Sequence, residues 1–129
     1  MGVSGVLPGI QRGDVWNVNF DPQVGQEIRK VRPAVVMNIP TAGRLPLHIV
    51  VPITTGSANF NNYFWMVAIS ATTANGLGHD SFADVFQIKS ISVNRFVDKR
   101  GLLTAIQLDE ISAAIVLCIG YKPPRPKSP

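Results

Sequence analysis

The chain has 129 residues, of which 46% are apolar and only 16% charged. That length supports one domain with a modest core and is too short for a doubly wound enzyme carrying its own dinucleotide site. The apolar balance excludes disorder over most of the chain and predicts one further buried face, hence self-association. Twelve basic against eight acidic residues leave a net charge of +4, which favours polyanionic partners. Four of the basic groups (Arg12, Lys122, Arg125, Lys127) fall at the expected domain edges, where solubility alone would account for them. The single cysteine, Cys118, excludes an internal disulfide and a multi-cysteine zinc site. No apolar run reaches the roughly 18–20 residues that span a bilayer, and no membrane partner is expected. Met1–Val6 lacks the features of a secretion signal, and Val6 stands where a myristoylation motif wants Ser or Thr. The expected location is the cytoplasm.

In chain order, residues 1–11 read as a flexible arm, 12–120 as the domain and 121–129 as a basic, Pro-rich tail. Asp14 to Phe20 alternates apolar and polar residues, the pattern of a strand with one buried face, and Asp21-Pro22 ends it. Gln23 to Arg32 reads as a polar loop carrying Glu27, Arg29, Lys30 and Arg32. Pro33 opens a short apolar strand, Ala34 to Asn38. After a Pro/Gly-rich turn at 40–46, Leu47 to Thr55 reads as a third strand ending in two hydroxyls. A loop over Gly56–Asn62, a strand over Tyr63–Ile69, a turn at Asn75-Gly76-Leu77-Gly78 and one or two short strands within Ser81–Val93 follow. The closing helix starts at a capping box, Thr104 with Gln107, beside a Leu103/Leu108 staple. It shows Leu108, Ile111, Ile115, Cys118 and Ile119 on one face and stops at Gly120. The pattern predicts an α+β domain that is mainly β: a small, strongly bent antiparallel sheet or barrel capped by one amphipathic helix.

Two-histidine acid/base chemistry finds little support, because His48 sits in an apolar strand pattern and His79 in a Gly-flanked turn. Spacings typical of metal ligands, phosphate-binding glycine loops and nucleophile elbows are absent from the sequence, so no metal or cofactor is expected. What remains is Arg32 before one strand and Thr54-Thr55 at the end of the next, ends that antiparallel neighbours bring together. A guanidinium and a hydroxyl suit a phosphate and its developing charge. The same residues also read as a surface charge and ordinary strand threonines, and spacing alone does not choose.

The segments Arg12-Gly13-Asp14-Val15-Trp16, Phe20-Asp21-Pro22, Gly25-Gln26-Glu27, Arg32-Pro33-Ala34-Val35-Val36, Val51-Pro52-Ile53-Thr54-Thr55 and Gln87-Ile88-Lys89-Ser90-Ile91, with the closing helix, resemble the MazF/PemK family of toxin–antitoxin ribonucleases. The likeness runs in order over residues 12 to 120. It implies an SH3-like barrel with appended helix, a homodimer, and metal-independent cleavage of single-stranded RNA at short sequences, held in check by an antitoxin through which alone DNA is met. The family's essential arginine falls on Arg32, its essential threonine on Thr54, and its loop carboxylate on Glu27. Gly25, Gln26, Thr55, Gln87 and Lys89 match positions in or beside motifs that lie near bound RNA.

The implied reaction begins with the RNA's own 2′-hydroxyl and ends in a 2′,3′-cyclic phosphate and a 5′-hydroxyl. Trp16 reads as core. Phe60, Tyr63, Phe64 and Trp65 have no counterpart in the motifs and read equally as core, dimer interface or antitoxin groove. The chain departs from many members at Gln26, where they have Ser, and at Phe86, where they have Asp, so a target sequence does not carry over. Two competing readings are a CcdB-like toxin that binds DNA gyrase without cutting RNA and a barrel that binds RNA without cleaving it.

Overall fold

The computed structural model describes residues 9–22, 24–27, 30–40, 45–56 and 58–124. The expectations for residues 1–8 and 125–129, and for part of the loops at 23–29 and 40–46, lie outside them. Among the described residues seven strands are formed: β1 (Asp14–Asn19), β2 (Val31–Val36), β3 (Leu47–Thr54), β4 (Met66–Ile69), β5 (Ser81–Asp84), β6 (Lys89–Ser92) and β7 (Phe96–Leu102). The helix α1 (Ala105–Cys118) follows. The strands pair antiparallel in the order β4-β5-β3-β2-β1-β7, with β6 beside the first half of β3. The end strands β4 and β7 do not pair with one another, so the sheet is bent but unclosed.

Strand alternation divides the core in two. Val15, Val35, Val51 and Ile53 face one side, where Ile111 and Ala114 of α1 cover them. Trp16, Val18, Ala34, Val36 and Val50 face the other, closed by Ile91 and Phe96 as β6 and β7 fold over. Because both faces of β2 and β3 are covered, these strands read as continuous apolar runs while β1 keeps the starting alternation. Trp16 is core, with its ring edge-on to Phe96 at 5.7 Å.

The opening Arg-Gly-Asp segment is structural. Asp14 is fully buried; its Oδ2 accepts from Gln11 N at 2.9 Å and Trp16 Nε1 at 3.2 Å, and Lys99 Nζ stands 3.3 Å from Oδ1. Arg12 donates to Met37 O and to Ser112 Oγ, tying the segment just after β2 to α1 rather than serving as a free solvent charge. Ordered contacts start before it, with Ile10 packed against the Trp16 cluster.

Helix α1 begins at the predicted box: Thr104 Oγ1 accepts from Gln107 N at 3.1 Å, and Thr104 N donates to Gln107 Oε1 at 2.9 Å. Such a cap contributes about 1 kcal/mol. The helix ends as Gly120, at φ +71°, and Tyr121 donate to Leu117 O and Val116 O. Ile119 belongs to this cap and is exposed, not on the buried face the 3.6-residue period assigned to it. β7 is absent from the sequence reading because Val97-Asp98-Lys99-Arg100 carries no alternation; its pairing with β1 shifts register twice. The strand expected over Tyr63–Ile69 is only β4, and residues 58–62 form a 3-10 turn.

The turn before β5 packs backbone to backbone on β7: Leu102 N donates to Ala74 O at 2.9 Å. Gly76 sits at φ +67°, and a Cβ there would meet Arg100 O at 2.1 Å. Gly76→Ala combines left-handed strain with a backbone clash and should cost more than about 1 kcal/mol, read as a lowered urea midpoint.

His48 packs edge-on to Phe96 at 5.5 Å, and its Nδ1 is buried with no hydrogen-bond partner among the described residues. Burial pushes its pKa below the ordinary 6.5, so the fold favours the neutral ring. The unfolded chain therefore binds more protons, and this contribution is present above the ordinary imidazole value and lost as pH falls through the folded one. The thermal midpoint should drop less between pH 7 and 5 in His48→Phe than in the parent chain.

Candidate functional site

The β2–β3 ladder pairs Val36 with Val50, Val35 with Val51 and Ala34 with Pro52. Two residues further along that register, Arg32 falls opposite Thr54. The two-residue period puts Arg32 on the face of Ala34 and Val36, and Thr54 on the face of Pro52 and Val50, which is one and the same face. Pro33 has no N–H with which to extend the β2–β3 ladder beyond Ala34. Both residues are nonetheless held from their other sides. Arg32 pairs with Val18 in β1, so it stands inside β2 and not at the end of a loop as the sequence suggests. Thr54 pairs with Phe82 in β5, and its hydroxyl donates to Thr55 O at 3.1 Å.

The turn into β2 is braced. Lys30 takes a left-handed φ of +67°, uncommon for a residue with a Cβ, and its N–H donates to Asp21 Oδ1 at 2.9 Å. Phe20 N donates to Lys30 O at 2.9 Å, while Arg95 donates to Asn19 O and Asp21 O. Asp21 thus fixes the residue two before Arg32, a role that its place in a strand-ending Asp-Pro did not disclose.

A hollow of about 290 Å³ collects most of the remaining candidates: Gln26 and Glu27 from the β1–β2 loop, Phe86 and Gln87 from the turn between β5 and β6, and Lys89 at the start of β6. Gln87 Nε2 donates to Gln26 O at 3.3 Å, and Lys89 Nζ lies 3.8 Å from Glu27 Oε2. This ion pair is exposed and contributes little stability. Glu27 Oε1 accepts from Val24 N at 3.0 Å, closing the loop around Gly25 on itself. Lys89 also lies 6.0 Å from the Phe20 ring centre. Thr55 and Arg32 border a second hollow of about 290 Å³, together with His79 and Arg100. His48 borders neither hollow.

Asp84 is a further residue that sequence patterning missed. It caps the 3-10 turn Val85–Gln87, its Oδ1 accepting from Phe86 N at 3.2 Å. Burial raises its pKa, opposed by hydrogen bonds from the Phe86 and Gln87 backbone. The aromatic group proves to be a continuous array: Tyr63 stacks on Trp65 at 4.7 Å, Phe64 meets Trp65 edge-on at 5.3 Å, and Trp65 meets Phe86 at 5.3 Å. Trp65 packs against the core, while Tyr63, Phe64 and Phe86 remain exposed.

Chemically, the arrangement offers a guanidinium, hydroxyls, amides and an ammonium around two open hollows. No group of three or more His, Cys, Asp or Glu side chains that could hold a metal ion occurs among the described residues. No helix among them is long and apolar enough to cross a membrane.

Residues 11–119 match the family model for PemK-like, MazF-like toxins of type II toxin–antitoxin systems. The chain is 37% identical over 114 residues to endoribonuclease MazF9 of Mycobacterium tuberculosis, covering 84% of this chain and 94% of that protein. It is 27% identical over 111 residues to endoribonuclease MazF of Staphylococcus saprophyticus, covering 86% and 92%. Among solved structures, the fold is similar to the crystal structure of MazF from Deinococcus radiodurans, with a TM-score of 0.71 at 23% identity over 86% of this chain and 96% of that one. It is also similar to a mycobacterial endoribonuclease in complex with its cognate antitoxin, with a TM-score of 0.70 at 15% identity over 90% and 100%. Fold and sequence thus agree, and the chain belongs to the PemK-like, MazF-like toxin family of type II toxin–antitoxin systems.

Removing the cap at Asp84 leaves the Phe86 amide without its acceptor. Asp84→Ala should lower stability by about 1 kcal/mol while Asp84→Asn, which keeps an acceptor and discards the buried charge, stays near the parent; thermal melts of the three proteins check this.

Proposed function

We propose that this chain, an endoribonuclease toxin of the MazF class, cuts single-stranded RNA at a short sequence without a metal. The observation that carries the reading is the β2–β3 register, which, continued two residues past the Ala34–Pro52 pair, brings Arg32 across from Thr54 on one face of the sheet. In the reaction, the ribose 2′-hydroxyl loses its proton as the O2′–P bond forms. The P–O5′ bond then breaks and O5′ takes up a proton from solvent water, leaving a 2′,3′-cyclic phosphate and a 5′-hydroxyl. Negative charge builds on the non-bridging oxygens, and a fixed guanidinium aimed there stabilises the transition state more than the ground state. Arg32 takes that role, Thr54 holds the scissile phosphate by its hydroxyl, and Glu27 receives the 2′-proton.

Gly25, Gln26, Thr55, Gln87 and Lys89 are the proposed RNA contacts. Amides and an ammonium beside exposed rings suit the edges and faces of unpaired bases. The proposed assembly is a homodimer, supported by the apolar side chains Ile106, Leu117 and Ile119 left exposed on and after α1. An antitoxin is the proposed inhibitor and the only route to DNA, and the cytoplasm the proposed location.

The test is incubation of the purified protein with a long single-stranded RNA in EDTA, with product ends mapped. Cleavage at a recurring short sequence with 5′-hydroxyl ends is expected, whereas intact RNA would favour gyrase poisoning or binding without cleavage. Arg32→Ala should fold normally and lose about 10²–10³ in rate, the usual effect of deleting a transition-state donor. Thr54→Ala should lose less, because Thr55 supplies a neighbouring hydroxyl, and the Thr54/Thr55 double alanine variant should fall to the Arg32→Ala level.

A further inference from the structure

The second hollow lies at the end of β3, between β7 and the turn that precedes β5, and its floor is the apolar pair Ile53 and Leu77. Its wall carries Arg32, Thr55, His79 and Arg100, with no carboxylate among the lining residues. Arg100 is half-buried and fixed by three bonds. Its Nε and Nη2 donate to Gly76 O at 3.1 and 2.8 Å, and its Nη1 donates to Asn17 Oδ1 at 3.2 Å. Both acceptors are neutral, so the guanidinium is oriented without being neutralised, and no salt bridge joins it to an acid among the described residues.

Partial burial of a cation without a counter-charge costs desolvation energy, which an incoming anion would offset. The position itself is rigid: Asn75, fully buried, accepts from Thr72 N and Leu77 N at 3.0 Å and donates to Ser70 O at 2.9 Å, holding the turn whose Gly76 carbonyl grips Arg100. Two N–H groups of this fixed guanidinium, one on Nη1 and one on Nη2, remain beside an acid-free hollow and suit a phosphate better than any neutral group.

We propose that this hollow binds a backbone phosphodiester of the RNA strand neighbouring the scissile one, with Arg100 supplying the charge and His79 a second contact. The inference rests on the reading of Arg32 as the residue at the scissile phosphate, since Arg32 also borders this hollow. Arg100 acts here as a positioning residue: it holds the strand in register for attack and touches no reacting atom.

The experiment measures binding of a fully 2′-O-methylated, uncleavable oligonucleotide, of the sequence that the parent chain cuts, over a range of salt concentrations. Arg100→Gln should weaken binding about 5- to 50-fold and reduce the salt slope by about 0.7, the share of one phosphate contact on a single strand. Arg100→Lys should recover part of both, and His79→Glu should weaken binding by repulsion. Parent-like affinity and slope in a folded Arg100→Gln variant would overturn the proposal. If Arg100→Gln does not fold, the exposed His79→Glu decides, and unchanged binding there overturns it equally. Variants that keep RNA affinity but lose affinity for a polyglutamate peptide would assign the hollow to an acidic protein segment instead. Cleavage mapping of the parent chain with its Arg32→Ala control reports separately on the ribonuclease reading, so its failure is distinguishable from failure of the Arg100 site.

Discussion

The constraint on which the rest of the molecule depends is the register of β1, β2 and β3, buried on both faces. Val35 points into the core beneath α1 and its neighbours Ala34 and Val36 into the core closed by β6 and β7. A slip of one residue in β2 would exchange those two sets and bring Arg32 to the opposite face, so burial of a few valines fixes where the guanidinium stands. Apolar packing far from any polar chemistry thereby sets the alignment of Arg32 with Thr54.

Around this frame, charged groups are placed by what holds them, and they divide into two kinds. Arg12, Asp14 and Asp21 satisfy backbone or buried donors and acceptors and serve the fold. Glu27, Lys89 and Arg100 border open hollows. Lys89 and Glu27 meet across an exposed 3.8 Å gap, a loose pair that solvent screens. Arg100 is the opposite case, locked to neutral carbonyls and unable to follow a ligand. Under the proposed function, an adaptable loop and a fixed cation suit a flexible polymer, whose backbone has to be held still while its bases are read.

Much of the architecture was legible in the sequence because it is carried by local signals. Alternation marked β1, continuous apolar runs marked β2 and β3, and the Thr104 and Gln107 pair with Gly120 marked both ends of α1. The short ordered segments pointed to the MazF/PemK family before any fold was known, and the match over residues 11–119 bears that out. Less local features escaped. β7 is polar and irregular, and its identity as a strand comes from pairing with a β1 that lies far earlier in the chain. Ile119 followed the helical period, yet the left-handed turn at Gly120 draws it out of the core.

The sequence by itself determined which residue types were available for phosphate chemistry, which segments could pair, and where the helix starts and stops, because propensity, period and capping act over a few neighbours. Only the tertiary structure decided that Arg32 lies within a strand, that Gln87 and Lys89 reach Gln26 and Glu27, and that Arg100 borders the same hollow as Arg32. Those juxtapositions join residues tens of positions apart through sheet register and turn geometry, and no short-range pattern encodes a distance that the folded backbone alone creates.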